Sequence, residues 1–147
     1  KRVDDVTAWA WDDETQTPKF DVDLISSPTP ANEATVIVEL TSPVKESRLP
    51  SGLTSLPRVI ISPTGQMPHP EFISTRAALE EFGRAWREAL ARIENDLPDV
   101  RTLHLIASVP APAAIAMGRY RMRTAQPTMV VYQLTDEGYE AAMEVTE

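Results

Sequence analysis

Residues 34–40 read Ala-Thr-Val-Ile-Val-Glu-Leu, and this stretch decides the fold class. It is a nearly continuous apolar run rich in β-branched residues, which is typical of a strand buried on both faces inside a parallel sheet. The run ends at Thr41-Ser42-Pro43, where a loop rich in Ser, Pro and Gly begins. A buried parallel strand needs further strands and covering helices, so the pattern downstream should supply them.

The downstream sequence alternates strands and helices. The predicted elements are a short strand (Pro57–Ser62), a long helix (Ser74–Leu97), a strand (Arg101–Ala107), a second helix (Ala111 to about Arg121), a strand (Thr128–Leu134) and a short helical or frayed tail (Gly138–Glu147). Strands separated by helices of this length imply right-handed crossovers and a mostly parallel sheet with helices on both faces. The sequence therefore predicts an α/β fold with a Rossmann-like, mostly parallel sheet and flanking helices.

The long helix has the clearest pattern. Its apolar residues recur every three or four positions and form one stripe, made of Leu79, Phe82, Trp86, Leu90, Ile93 and Leu97. Ser74 is predicted to cap the helix at its start, and Pro98 ends it.

Residues 1–33 differ from the rest and are predicted to be an extended connector. Val6–Trp11 alternates and is predicted as a short strand, while Phe20–Leu24 fits an exposed edge strand or an extended linker. The Pro-rich stretch Ser26–Asn32 marks the boundary. The chain starts at Lys1 rather than Met, and we expect it to be a piece of a longer chain or a processed product.

Composition excludes several protein classes. The chain has 147 residues, no Cys and a formal net charge of −8. A disulfide scaffold, a thiolate metal site and a cysteine nucleophile are therefore excluded, and general binding of duplex nucleic acid is disfavoured. No apolar run approaches the roughly 20 residues that cross a bilayer, and no signal-peptide pattern opens the chain, so we expect a cytoplasmic protein without a membrane partner.

The charges are unevenly distributed along the chain. Residues 101–132 hold four arginines and no acid, whereas residues 133–147 hold five acids and no base. A local basic block in an acidic chain can attract a compact anion, although a solvated face explains it equally well.

Catalytic signals are weak. The two histidines are His69, in a Pro-rich loop, and His104, in a predicted strand where a structural hydrogen-bonding role is expected. Neither has a nearby carboxylate in sequence at a spacing that suggests a dyad. No metal-ligand spacing, nucleophile elbow or phosphate-binding glycine loop is present, and no catalytic residue, metal or cofactor is predicted.

Binding signals are stronger, because ligands of open α/β sheets lie beyond the carboxyl ends of the strands, where strand order reverses. The candidate ligand-binding residues are Thr41, Ser42, Pro43, Lys45, Ser108, Val109, Pro110, Ala111, Arg119 and Tyr132. Hydroxyl groups and the start of a helix can contact phosphate, cations add attraction, and an aromatic face can stack on a base. Ser and Pro are also ordinary residues at loop starts, which leaves a plain loop as the alternative.

The stretch 104–119 carries a family resemblance. It reads His-Leu-Ile-Ala-Ser-Val-Pro-Ala-Pro-Ala-Ala-Ile-Ala-Met-Gly-Arg: a strand, a Pro turn and a short Ala-rich helix ending in Gly, with a later strand ending in Val131-Tyr132. This resembles the carboxyl-terminal part of SAVED domains. The strand before Ser42, the long loop, the helix with Phe82 and Trp86, and the connector-like 21–24 also fit, so the resemblance covers about residues 18–145.

The resemblance implies that residues 34–147 are one of the two CARF-like halves of a SAVED domain. Such domains bind cyclic oligonucleotides made by partner synthases in antiphage defence, in CBASS and type III CRISPR systems. Binding drives oligomerisation and switches on a fused or associated effector. By this resemblance Ser42, Ser108 and Pro110 face the ligand, and the chain is a sensor rather than an enzyme.

The sequence departs from the family pattern, because one half is evident and no effector is visible. The expected partners are therefore the cyclic oligonucleotide, the missing half, an effector and further copies of the chain. Two alternatives remain open: a weak phosphodiesterase acting on the same ligand through His104 or Ser108, and a protein-assembly scaffold without a nucleotide ligand.

Overall fold

A computed structural model of the chain describes residues 18–27, 31–70, 73, 75–119 and 127–145. In these ranges the elements are β1 (Phe20–Ile25), β2 (Glu33–Glu39), β3 (Arg58–Pro63), α1 (Arg76–Asp96), β4 (Thr102–Ser108), α2 (Ala111–Arg119), β5 (Thr128–Thr135) and β6 (Gly138–Val145). Two short 3-10 turns, Glu46–Arg48 and Ser51–Leu53, lie in the connection from β2 to β3. The strand predicted over Val6–Trp11 lies outside the described residues. Neither helix is long and apolar enough to cross a membrane.

The six strands form one sheet in the order β1-β3-β2-β4-β5-β6. The four central strands are parallel, while β1 and β6 each pair antiparallel with their neighbour at the two edges. The α/β class is therefore confirmed, but the sheet is mixed, and the predicted mostly parallel Rossmann-like sheet is not confirmed. The β1 edge, which belongs to the predicted connector, joins the same sheet as the strands after residue 33.

Both helices cover one face of the sheet, which corrects the prediction of helices on both faces. The main core joins them to the alternate sheet residues that include Val36, Val59 and Leu103. The connections through α1 and α2 both advance in the same direction across the sheet, so right-handed crossovers place both helices on the same side. The β2–β3 connection runs in the opposite direction, and its non-helical turns cover the other face, where Leu49 and Leu53 form a second apolar cluster.

The helix α1 supplies the largest core side chains. Trp86 and Phe82 are fully buried, and Trp86 Nε1 donates to the Met117 carbonyl of α2 at 3.1 Å. The cap lies one residue later than the predicted Ser74, since Thr75 Oγ1 accepts from Ala78 N at 2.9 Å. The apolar stripe packs α1 against the sheet, and the hydrogen bond of Trp86 joins α1 to α2.

The carboxyl-terminal segment corrects another prediction, since residues 138–145 form the strand β6 instead of a helical tail. A two-residue turn, Asp136-Glu137, reverses the chain between Thr135 and Gly138. Gly138 has a φ of +121°, and a Cβ there would lie 2.8 Å from the carbonyl oxygen of Arg48. The turn and the pairing with β5 override the helix propensity of the Glu, Ala and Met residues in this segment.

Candidate functional site

The strand order reverses between β2 and β4. From β2 the chain crosses to β3 on one side, and it then returns past β2 to β4 and β5 on the other. In open α/β sheets, ligands lie beyond the carboxyl ends of the strands at the point where strand order reverses. The parallel register pairs Glu39 with Ser108 at those ends, so Thr41, Ser42, Val109 and the start of α2 meet there.

Ser108 is the centre of the hydrogen bonds at this edge. Its carbonyl oxygen accepts from both Leu40 N and Thr41 N at 2.9 Å. Its hydroxyl oxygen accepts from Ser42 N at 3.1 Å and lies 2.8 Å from Ser42 Oγ. The structure therefore brings together two predicted residues that are 66 positions apart in sequence.

Two further features border the serine pair. Thr41 Oγ1 is buried and has no hydrogen-bond partner among the described residues, while the Thr41 side chain as a whole is partly exposed. His69 N donates to the Leu40 carbonyl at 2.9 Å, which holds the loop after β3 against the carboxyl end of β2. His69 was not predicted to lie at the site, although a loop that follows a parallel strand must start at the carboxyl ends of the strands.

The helix α2 begins directly beyond β4. The Pro110 carbonyl accepts from Ala113 N and Ala114 N at 3.1 Å, which closes the first turn. The amino-terminal end of α2, with its positive dipole charge, therefore lies beside Ser108. Val109, Pro110 and Ala111 lie at the predicted edge.

The other predicted residues fall into two groups. Pro43 and Lys45 follow Ser42 in the crossover and are both exposed. Arg119 is the last residue of α2 and lies about 12 Å along the helix axis from Ala111, at the rise expected per residue. Arg101, another residue of the basic block, precedes β4 and lies at the amino-terminal end of that strand, opposite the end that holds Ser108. The backbone positions of both arginines therefore lie away from the serine pair.

Tyr132 also lies away from the serine pair, within β5, on the face covered by the β2–β3 crossover. Its hydroxyl group is 2.8 Å from His104 Nδ1, and His104 Nε2 is 2.7 Å from Glu33 Oε1. The strand histidine is hydrogen-bonded as predicted, and its carboxylate partner is one that sequence spacing did not indicate. Glu33 is 71 positions away in sequence, and the parallel register of β2 and β4 brings it close.

Burial affects the tyrosines of this face. Burial, and next the negative charge of Glu33, raise the pKa of the Tyr132 phenol above its ordinary value. Burial, and next the charge of Glu39, also raise the pKa of Tyr139. Both phenols are therefore protonated at neutral pH, and Tyr132 can donate its proton to His104.

The described ranges contain no group of three or more His, Asp or Glu side chains placed to hold a metal ion. The carboxyl ends of β2 and β4 present hydroxyl groups, backbone N–H groups and the start of a helix. These groups suit an anion more than a cation.

A family model for the sensor domain described as SMODS-associated and fused to various effectors, abbreviated SAVED, matches residues 1–145. The chain belongs to the SAVED family. The resemblance drawn from residues 104–119 is thereby confirmed. No curated protein matches the chain.

Solved structures with the same fold include SAVED/CARF-domain receptors named Cap4 from Acinetobacter baumannii. The receptor in complex with the cyclic trinucleotide 2′3′3′-cAAA superposes with a TM-score of 0.69 at 19% sequence identity, over 91% of this chain and 29% of the receptor. The 3′3′3′-cAAA complex gives a TM-score of 0.69 and 19% identity, over 91% of this chain and 28% of the receptor. A third Cap4 structure gives a TM-score of 0.59 at 21% identity, over 86% and 26%. The SAVED chain thus spans less than a third of these receptors, and the likeness shows a shared fold.

Proposed function

We propose that this SAVED chain is a sensor module that binds a cyclic oligonucleotide at the carboxyl ends of β2 and β4. The observation that carries the proposal is the Ser42–Ser108 hydroxyl pair, at the point where strand order reverses in a domain of this family. Two of the Cap4 receptors with the same fold are complexes with cyclic trinucleotides, which supports this ligand class.

The proposed contacts do not require a strongly basic surface. Ser42 and Ser108 now bond to each other through hydroxyl groups that can turn to donate to a phosphate oxygen. The start of α2 adds N–H groups and positive dipole charge, and Lys45 adds one nearby cation. Such fixed donors can hold the phosphates of a compact ring in a chain whose net charge is −8.

The output of binding is also part of the proposal. A ring that contacts two halves or two protomers binds the assembled state more tightly than the separate state, so it favours assembly. Assembly would then switch on an associated effector in antiphage defence of the CBASS type, with the type III CRISPR setting as the alternative. The same proposal places the chain in the cytoplasm and gives it no cofactor besides the ligand.

We further propose that the chain senses the ligand without cutting it. Both ring nitrogens of His104 lie within hydrogen-bond distance of a side chain. Ser108 is four residues further along β4, which is about 13 Å at the rise of a strand. His104 therefore lies too far from Ser108 to act as its base, which favours a sensor over the phosphodiesterase alternative.

Isothermal titration calorimetry tests the proposal. The probes are 2′3′3′-cAAA, 3′3′3′-cAAA and cyclic dinucleotides, with linear triadenylate as the control, titrated into this chain and into the full-length protein that contains it. We expect a cyclic ligand to bind and to be recovered intact by chromatography. Absence of binding across the panel with the full-length protein rejects the sensor function, while recovery of cleaved ligand supports the phosphodiesterase alternative.

A further inference from the structure

Among the residues that the structure describes, the outer edge of β6 pairs with no further strand. β6 is the last strand of the sheet and pairs with β5 on one side. Its segment Glu140–Glu144 reads Glu-Ala-Ala-Met-Glu, and all five residues are exposed. About half of the N–H and C=O groups of an antiparallel edge strand point away from its neighbour. Within the described part of the chain, no hydrogen bond beyond those to β5 engages this segment.

At the opposite edge of the sheet, a side chain of α1 contacts the outward backbone of β1. Thr64 N donates to the Lys19 carbonyl, and the alternation of an antiparallel pair then turns the Val22 carbonyl away from β3. Arg92 Nη1 of α1 reaches over this edge and donates to that carbonyl at 2.7 Å. An arginine therefore satisfies one outward carbonyl of β1, whereas no side chain among the described residues does the same for β6.

The charge at the open edge limits what can pair with it. Residues 133–145 hold four acids and no base. Glu140 and Glu144 bracket three apolar residues, and the register shift at Val131/Tyr132 pairs Glu140 with Gln133 and Glu144 with Val130. The two carboxylates therefore lie on opposite faces of the sheet. A second β6 strand would bring its own carboxylates to this edge, and a nucleic acid would bring phosphates, so like charges oppose both.

We propose that the β6 edge binds an extended basic segment of a partner protein by strand addition. Backbone groups of the segment would pair with the outward groups of β6, as in other proteins that extend an exposed sheet edge. Arg or Lys residues of the segment would meet Glu140 on one face of the sheet or Glu144 on the other. This interaction is separate from the proposed nucleotide site and needs no nucleotide.

A suitable probe can be taken from the sequence itself. Residues 119–123 read Arg-Tyr-Arg-Met-Arg, a basic segment whose arginines alternate with apolar residues and would share one face of an added strand. A fluorescein-labelled peptide with the sequence of residues 117–125 is titrated with the nucleotide-free protein, and fluorescence polarisation reports binding. The same peptide with Glu in place of each Arg is the charge control.

Matched variants separate the β6 edge from general charge. Glu140→Lys with Glu144→Lys reverses the edge, and Glu80→Lys with Glu94→Lys makes the same change at exposed positions of α1. We expect the edge variant to weaken binding of the Arg peptide by about tenfold or more and the α1 variant to change it about twofold or less. Equal effects of the two variants, or no binding of the peptide up to about 1 mM, overturn the proposal.

Strand addition has a signature that charge attraction alone does not produce. Amide hydrogen exchange of residues 139–144 should slow by about fivefold or more when the peptide is bound. A peptide of the same charge with N-methyl groups at alternate residues should neither bind as tightly nor slow the exchange. This comparison uses the unmodified protein, so it remains decisive if a lysine variant fails to fold. Binding without slower exchange in β6 would overturn strand addition.

Discussion

The substitution Ser108→Asp places a negative charge at the centre of the proposed ligand site. The new carboxylate can still accept the hydrogen bond that Ser42 N gives to Ser108 Oγ at 3.1 Å. It also lies near the start of α2, where a negative charge stabilises a helix by about 0.3–1 kcal/mol. We therefore expect the variant to fold with nearly unchanged stability.

The effect on ligand binding is much larger than the effect on folding. A phosphate held by the serine pair would lie about 5 Å from the carboxylate, and two unit charges at this distance repel by about 3.3 kcal/mol at an effective dielectric constant of about 20. This energy corresponds to a loss of about 200-fold in affinity. The neutral variant Ser108→Asn has a similar size and should bind within about tenfold of the parent, because it loses a neutral hydrogen bond.

Calorimetry with 3′3′3′-cAAA measures these affinities in the full-length protein, and circular dichroism checks the fold. Ser55→Asp is the matched control, since Ser55 is exposed in the loop before β3, at the opposite edge of the sheet. Added salt should reduce the penalty of Ser108→Asp, because salt screens the repulsion. The reasoning is wrong if Ser108→Asp binds within about threefold of the parent, or if Ser108→Asn loses as much as the aspartate.

Three further predictions test the fold around the site. Trp86→Ala should lower the free energy of unfolding in urea by about 3–5 kcal/mol, because the ring is fully buried; a loss below about 1 kcal/mol would contradict the assigned core. Gly138→Ala should lower the free energy of unfolding by about 1–3 kcal/mol, because its φ is +121° and its Cβ would lie 2.8 Å from the Arg48 carbonyl oxygen. Gly118→Ala is the control, since open space surrounds Gly118 and the protein should not be destabilised. Equal melting temperatures of the two variants would argue against the contact with Arg48. The parent should lose stability above about pH 10, since the raised pKa keeps the phenol of native Tyr132 protonated while the unfolded one ionises. Tyr132→Phe should lose less stability over this pH range. Identical alkaline unfolding curves for parent and variant would contradict this prediction.

The central strands and α1 could be predicted because their signals are local. The β-branched run of β2 and the apolar stripe of α1 each require one kind of structure within a short window. The tail could not be predicted in this way, because Glu, Ala and Met favour a helix, and the hairpin with β5 decides otherwise. The placement of both helices on one face depends on strand order, which the sequence pattern does not specify.

The candidate site shows the same division. Ser42 and Ser108 were predicted separately as strand-end residues, and parallel pairing of β2 with β4 makes them one site. Glu33 and His104 were missed as a pair, because the same register joins them across a wide sequence gap. Arg119 was selected for its charge, and the length of α2 carries it away from the serine pair. Contacts made through sheet register were therefore the part that sequence spacing could not supply.

The most direct test of the proposed site is a map of amide chemical shifts during titration with 3′3′3′-cAAA. We predict that the largest changes fall on Ser42, Ser108 and Ala111, at the carboxyl ends of β2 and β4 and the first turn of α2. The largest changes at His104 and its neighbours, or along β6, with the serine pair unaffected, would contradict the location of the nucleotide site.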